Sequence, residues 1–395
     1  MRKILFIIVL IPLLGAAGWW YFREQALPDY GPAYREYAYV TNGKSNTVSV
    51  IDLRTFELAR TIAVGASPTG IATNRKKNEI YVVNSGSNNV SVIDAEKNAV
   101  VATIGVHGRP YFIDVAEDGK RAYVANSGSA DVSVIDLEKR VVMGNVRVGS
   151  APGLARVSPD GATVVVSNRD DNTISLIDAK LLRVRATLPV CQRPEDIAIL
   201  PDSSKVFVAC SGSSQVASIA LATNKSGEPA NARVLALLDV GRTPVNLALK
   251  PDGGELMVCD FDSDSVSIIE TGNNEVGSTA LMGQHPSRGM VTLDNSRLYV
   301  SNFGSNSVAV YDIEMGRRIA TMPVGSRPDG LALSQDQRYL LVLDTQAGDV
   351  TVIQKRNPRK LEPTEYSLLT MIPVGMQPNA IVVKAFMLSK AAMAK

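Results

Sequence analysis

Two markers that recur in step, and a mismatch between the two ends of the recurrence, predict an all-β fold: an eight-bladed β-propeller of four-stranded antiparallel blades. The first marker is Tyr-Val-x-Asn. It stands at Tyr39–Asn42, Tyr81–Asn84 and Tyr123–Asn126, and continues as Val165–Asn168, Phe207–Cys210, Met257–Asp260, Tyr299–Asn302 and Leu341–Asp344. Its last residues step by 42 positions each time, except for one step of 50. The second marker is a proline ahead of an apolar strand: Pro68, Pro110, Pro152, Pro194, Pro244, Pro286, Pro328 and Pro378, again in steps of 42 or 50. Units of roughly 40–45 residues holding four strands are propeller blades.

Each unit reads in the same order. After the proline comes an apolar strand such as Thr69–Thr73, then a turn with hairpin pairs such as Asp118-Gly119, Asp160-Gly161 and Asp252-Gly253. The Tyr-Val-x-Asn strand follows, then a Ser/Gly/Asn loop, then an alternating strand such as Thr47–Asp52. A fourth strand, Leu58–Val64 in the first unit, ends at Gly65. Proline suits the first residue of a strand, where no ladder donor is needed. Asn is expected to take the left-handed conformation and cap its own loop. Gly65, Gly149, Gly241, Gly325 and Gly375 are expected to supply a positive φ between blades.

The ends settle the blade count. The first Tyr-Val strand, at Tyr39, has no proline-led strand before it, and the last, Pro378–Lys384, has no Tyr-Val strand after it. Asn379–Val383 is therefore expected to complete blade one beside Tyr39–Asn42, which removes the exposed edges an open sheet would leave. Extra residues at Asn224–Asn231 and Lys355–Pro363 account for the 50-residue steps and fall between third and fourth strands. The second insertion carries Lys355, Arg356, Arg359 and Lys360.

Of the 395 residues, 45% are hydrophobic and 20% charged, which supports a large core and excludes disorder. Without Arg2 and Lys3 the balance is 39 basic against 39 acidic residues, so no overall basic footprint points to nucleic acid. Cys191, Cys210 and Cys259 form no C-x-x-C pair, which excludes c-type haem attachment, common zinc knuckles and thioredoxin-like chemistry. They read as buried small hydrophobes.

Arg2 and Lys3 precede an apolar run from Ile4 to Phe22. With Gly15, Ala16, Ala17 and Gly18 as a cleavage point it is a secretory signal. With its 19 residues and the belt Trp19, Trp20, Tyr21 it is a membrane anchor. Both readings place the body outside the cytoplasm, in the periplasm or an equivalent space. Residues 23–36 read as a linker, 37–386 as the propeller and 387–395 as a tail.

The Tyr-Val-x-Asn and Val-Gly-x-x-Pro signatures resemble those of the YVTN-family β-propeller repeat proteins over roughly residues 37–384. That family is commonly seven-bladed, so eight blades imply a wider channel. In blade number the chain is also similar to the haem d1-binding propeller of cytochrome cd1 and to quinoprotein alcohol dehydrogenases. Trp19 and Trp20 are the only tryptophans, so the tryptophan docking motifs of the latter are missing.

Residues that interrupt the repeat at the channel mouth are the candidates for a site. Before the prolines stand Ser67, Arg109, Ala151, Arg193, Thr243, His285, Arg327 and Gln377, while His107 and Cys191 replace the turn glycine. Glu195, Asp196, Arg288 and Asp329 follow the prolines, and Arg169, Asp170, Asp171, Asp262 and Asp264 lie in the loops between second and third strands. Arginines around one mouth suit a carboxylate or phosphate. His107 and His285 lie at the entrances of blades three and seven, four apart in the ring. The predicted binding set is His107, Arg109, Arg193, Asp196, His285, Arg288 and Arg327.

Three functions remain open. The first is a binding or scaffold propeller offering an Arg-rich mouth to a protein or small anionic ligand, without a cofactor. The second is a haem d1-like protein in which opposed imidazoles and arginines hold a carboxylated tetrapyrrole. The third is a lactonase-type hydrolase using Arg193, Glu195 and Asp196. No catalytic signature is present, and the acidic loops lack D-x-D-x-D-G spacing for calcium.

Overall fold

The computed structural model describes residues 30–221, 232–356 and 365–389. The described residues fall into two compact units, one within 36–385 and a small one of residues 30–35 and 386–389. In the small unit Tyr30 stacks on Tyr34 at 4.2 Å, and the Leu388 amide donates to the Ala33 carbonyl. The larger unit holds the repeat.

Its strands form eight four-stranded antiparallel sheets. In blade two the order from the axis outward is Pro68–Thr73, Glu79–Asn84, Asn89–Asp94 and Ala99–Gly105, and the later blades copy it. Blade one runs Glu57–Ala63, Thr47–Asp52, Tyr34–Asn42 and, innermost, Pro378–Met387. The chain thus closes as expected, with its last strand lying inside the blade that its first strand begins. Thr41 donates to Asn379 at 2.6 Å, while Lys384 reaches across to the Asn74 carbonyl of blade two.

The two sequence markers keep one period because they are register partners. Pro68 faces Asn84, Pro110 faces Asn126 and Pro286 faces Asn302. The middle strands are buried on both faces, which explains their continuous apolar runs. Outer strands alternate, as in Val141–Arg147, because one face meets water. The register between third and outer strands slips at the same place in every blade, for example at Val50/Ile51 and Val92/Ile93, which strengthens the twist of the outer edge. Cores form between blades. Ala38, Val40 and Ile51 of blade one pack with Leu341, Leu343 and Val350 of blade eight, so the closing seam carries a core like the others.

Three expectations need correction. The marker asparagine is not left-handed; it is buried, and the Asn42 amide donates to Thr47 and Ser49, both at 3.0 Å. The left-handed residues lie further along the same loops, at Asn46 (φ 55) and Asn88 (φ 53). The turn glycines do not carry a positive φ either. Gly65 is required because a side-chain carbon there would stand 2.7 Å from Cβ of Asn84, and Gly149 meets Asn168 in the same way. The positive φ sits on the residue before each proline, from 47° at Ala151 to 55° at Arg193. The third correction concerns the cysteines. Cys191 and Cys210 occupy the places of the glycine and its asparagine in blade five and form a disulfide there, while Cys259 is free and buried as expected.

The segments read as signal or anchor and as the two insertions lie almost wholly outside the described residues. Among the described residues no helix is long and apolar enough to cross a membrane. The first strand begins at Tyr34.

Candidate functional site

The blade-to-blade loops and the loops between second and third strands share one face, joined by repeated bonds. The amide of Arg109 donates to the Asn88 side chain at 2.8 Å, that of Arg193 to Asn172, that of His285 to Asp264 and that of Arg327 to Asn306. Each of these four residues is therefore held left-handed through its own peptide group, and its side chain is left at the exposed rim.

Across blades four and five the rim arginines are compensated. Glu195 pairs with Arg169 at 2.8 Å and with Arg193 at 3.2 Å, while the Arg169 guanidinium lies 4.5 Å over the Tyr111 ring. Asp196 is buried: it accepts from Asn246 at 2.7 Å and from the Leu247 amide at 3.0 Å, with Arg156 at 3.8 Å. On the inner strand of blade three, burial raises the Asp114 carboxyl above its ordinary range, with Arg156 opposing. His107 is committed to its own blade. Nδ1 lies 2.6 Å from Asp131 and Nε2 lies 3.1 Å from the Asn145 amide. Among the described residues Arg109 makes no ion pair.

Blade seven contributes Arg288 from its inner strand. Its side chain is 47% exposed, and it pairs with Asp329 of blade eight at 3.4 Å. Asp329, and Asp196 less strongly, hold its charge more firmly than usual against burial.

Blades six to eight differ. The His285 ring makes no side-chain hydrogen bond among the described residues; it stacks on Phe261 at 4.6 Å with 16° between planes. Phe303 lies 6.0 Å from Phe261, and the Arg327 guanidinium stands 5.4 Å over the Phe303 ring. No carboxylate among the described residues pairs with Arg327. These four side chains, with Asn306, Ser326 and Gln346, line a cleft of about 440 Å³. The sequence reading found His285 and Arg327 but missed the two phenylalanines. The signal was present: Phe261 and Phe303 stand directly after the marker, where Ser85, Ser127 and Ser211 stand in other blades.

The structure thus divides the predicted set. Arg193, Asp196 and Arg288 are tied to partners, His107 is held by its own blade, Arg109 stands exposed away from the cleft, and His285 and Arg327 meet in one cleft. Asp171 accepts from the Ser150 amide and Asp262 from Thr243, and no group of three or more metal-ligating side chains exists among the described residues. With both His107 nitrogens engaged, His285 is the one histidine left to serve as an axial ligand, so the opposed pair expected from the sequence is not offered as the rings stand.

A family model described as a YNCE-like β-propeller matches residues 9–157, and one described as a lactonase, seven-bladed β-propeller, matches residues 279–376. The chain is an eight-bladed β-propeller, and each of the two matched segments resembles a propeller family. Its eighth blade departs from the seven of the second description. No curated protein sequence matches this propeller. Solved structures share its fold at low identity. Hydrazine synthase of Kuenenia stuttgartiensis is 20% identical over 80% of this chain and 91% of that one, with a TM-score of 0.55. Dihydro-haem d1 dehydrogenase NirN, solved in complex with DHE, is 14% identical over 88% and 74%, with a TM-score of 0.70. A putative 6-phosphogluconolactonase of Bacteroides uniformis is 15% identical over 80% and 98%, with a TM-score of 0.59.

Proposed function

We propose that this propeller is an extracytoplasmic binding protein that receives an anionic ligand at the loop face of blades six to eight. One observation carries the reading: Arg327 and His285 converge on a single cleft without a carboxylate partner, whereas Arg169, Arg193 and Arg288 are neutralised. A guanidinium with unused donors is suited to carboxylate or phosphate. The charged and apolar pattern of residues 2–22 and the Cys191–Cys210 disulfide support an oxidising, exported setting.

Titration with citrate tests this. Arg327→Ser places there the residue that blade two carries as Ser67, so the loop has a precedent for it. Loss of one charge-assisted contact should weaken citrate about tenfold. Arg193→Ser, which removes a neutralised cation, should leave the affinity unchanged. Equal binding by wild type and Arg327→Ser would overturn the reading.

A haem-carrying reading draws on the likeness to NirN and on His285 alone. It requires a visible absorption band in protein from the native host, lost in His285→Ala. A lactonase reading draws on the match to residues 279–376, but Arg193, Glu195 and Asp196 lie outside that segment and are spent on one another and on neighbouring strands.

A further inference from the structure

We infer that the ligand of the cleft is a planar aromatic acid, a small molecule whose ring lies on the phenylalanine floor while its carboxylate meets Arg327. The inference rests on the binding reading above and names its ligand class.

The repeat supplies an internal control. At the position after the marker the eight blades carry Gly43, Ser85, Ser127, Arg169, Ser211, Phe261, Phe303 and Thr345. The propeller therefore needs no aromatic ring there. Both exceptions fall on adjacent blades, beside His285 and Arg327, and the chain has only eight phenylalanines in all. Half-buried rings on a loop face cost solvation that a serine does not. Phe261 is backed by the His285 ring at 4.6 Å, and the Phe303 ring carries the guanidinium of Arg327 at 5.4 Å. Apolar ring surface and an uncompensated cation are thus adjacent. Asn306, Ser326 and Gln346 add polar groups at the cleft wall. About 440 Å³ is within the range of small-molecule sites. An aliphatic anion would use the cation and leave the rings wet, and a neutral arene would use the rings and leave the cation without a partner. An aromatic acid uses both.

The test titrates the folded full chain with 2-naphthoate and with cyclohexanecarboxylate, which carry one equal charge on different surfaces. Stacking on the floor should make 2-naphthoate about tenfold tighter. Phe303→Ser, which copies three other blades, should erase that preference while cyclohexanecarboxylate binding stays as it was. Thermal melts establish that the variant is folded. If both acids bind wild type equally and both weaken in Arg327→Ser, the anion reading stands and the aromatic inference is overturned. If 2-naphthoate keeps its advantage in Phe303→Ser, the ring sits elsewhere and the inference fails. If neither acid nor citrate binds, the binding reading falls with it.

Discussion

Blades three to five and blades six to eight present the same loops in the same register, yet they use their departures from the repeat in opposite ways. On the first side departures reinforce the ring. A disulfide replaces a glycine–asparagine contact, Glu195 holds two arginines, and His107 is tied to Asp131 and Asn145. On the second side departures cost stability or expose chemistry. The buried marker asparagine becomes Asp260 or Asp344, and serine becomes Phe261 or Phe303. A departure from the repeat thus marks a special position; its neighbours decide whether it serves the fold or a ligand.

The largest expected effect falls on both regions together. Ending the chain at Gln377 removes Pro378–Met387, the inner strand of blade one, with Ile381 and Val383, which pack against the closing core. Cooperative thermal unfolding should be lost, as read by circular dichroism. A cooperative melt near the wild-type midpoint would show that the closing strand is dispensable.

Next comes the reinforced side. Cys191→Gly with Cys210→Asn restores the pair found at Gly149 and Asn168 and removes the cross-link. Denaturant titration should show a loss of about 3 kcal/mol, the value for a loop of this size, with citrate affinity unchanged. A change in citrate affinity would mean that the two sides are coupled.

The side of the cleft should show its cost as pH dependence. Burial pushes Asp260 up to about 6, and Asp344 is raised in the same direction by burial and by the neighbouring Asp349. In the unfolded chain such carboxyls ionise near about pH 4. As pH rises from there through 6, the unfolded state releases a proton that folded Asp260 retains, so stability falls and stays lower above that window. Asp260→Asn, the residue of most other blades, should gain about 2–3 kcal/mol at pH 8 and nothing near pH 4. Equal gains at both pH values would assign the effect to packing instead.

The smallest effect would make one region imitate the other. Glu195→Gln releases Arg169 and Arg193 and should cost about 1 kcal/mol or less of stability. A second, weaker citrate site should appear in the calorimetric stoichiometry. If none appears, an uncompensated arginine at this rim is insufficient and the rings of the cleft are essential to it.

The period, the closure and the blade count were legible in the sequence because each blade must satisfy the same register, Pro68 against Asn84 and its copies. The causes assigned to single residues were less legible. Gly65 serves close approach to a side chain 19 residues on, and the same spacing separates Cys191 from Cys210, so the disulfide was available to a reader who knew that contact. The division among the arginines was not available. Whether Arg169 is neutralised depends on Glu195 in the next blade, and whether Arg327 is available depends on what stands around it. Charge drew attention at the rim, so Phe261 and Phe303 passed as ordinary loop residues.

The central claim, that the cleft of blades six to eight is the binding site, is tested most directly by a crystal structure of the chain with 2-naphthoate. The account predicts the ring against Phe303 and Phe261 with its carboxylate on Arg327. Density in the channel against Arg288, or at the rim of blades three to five, would contradict it.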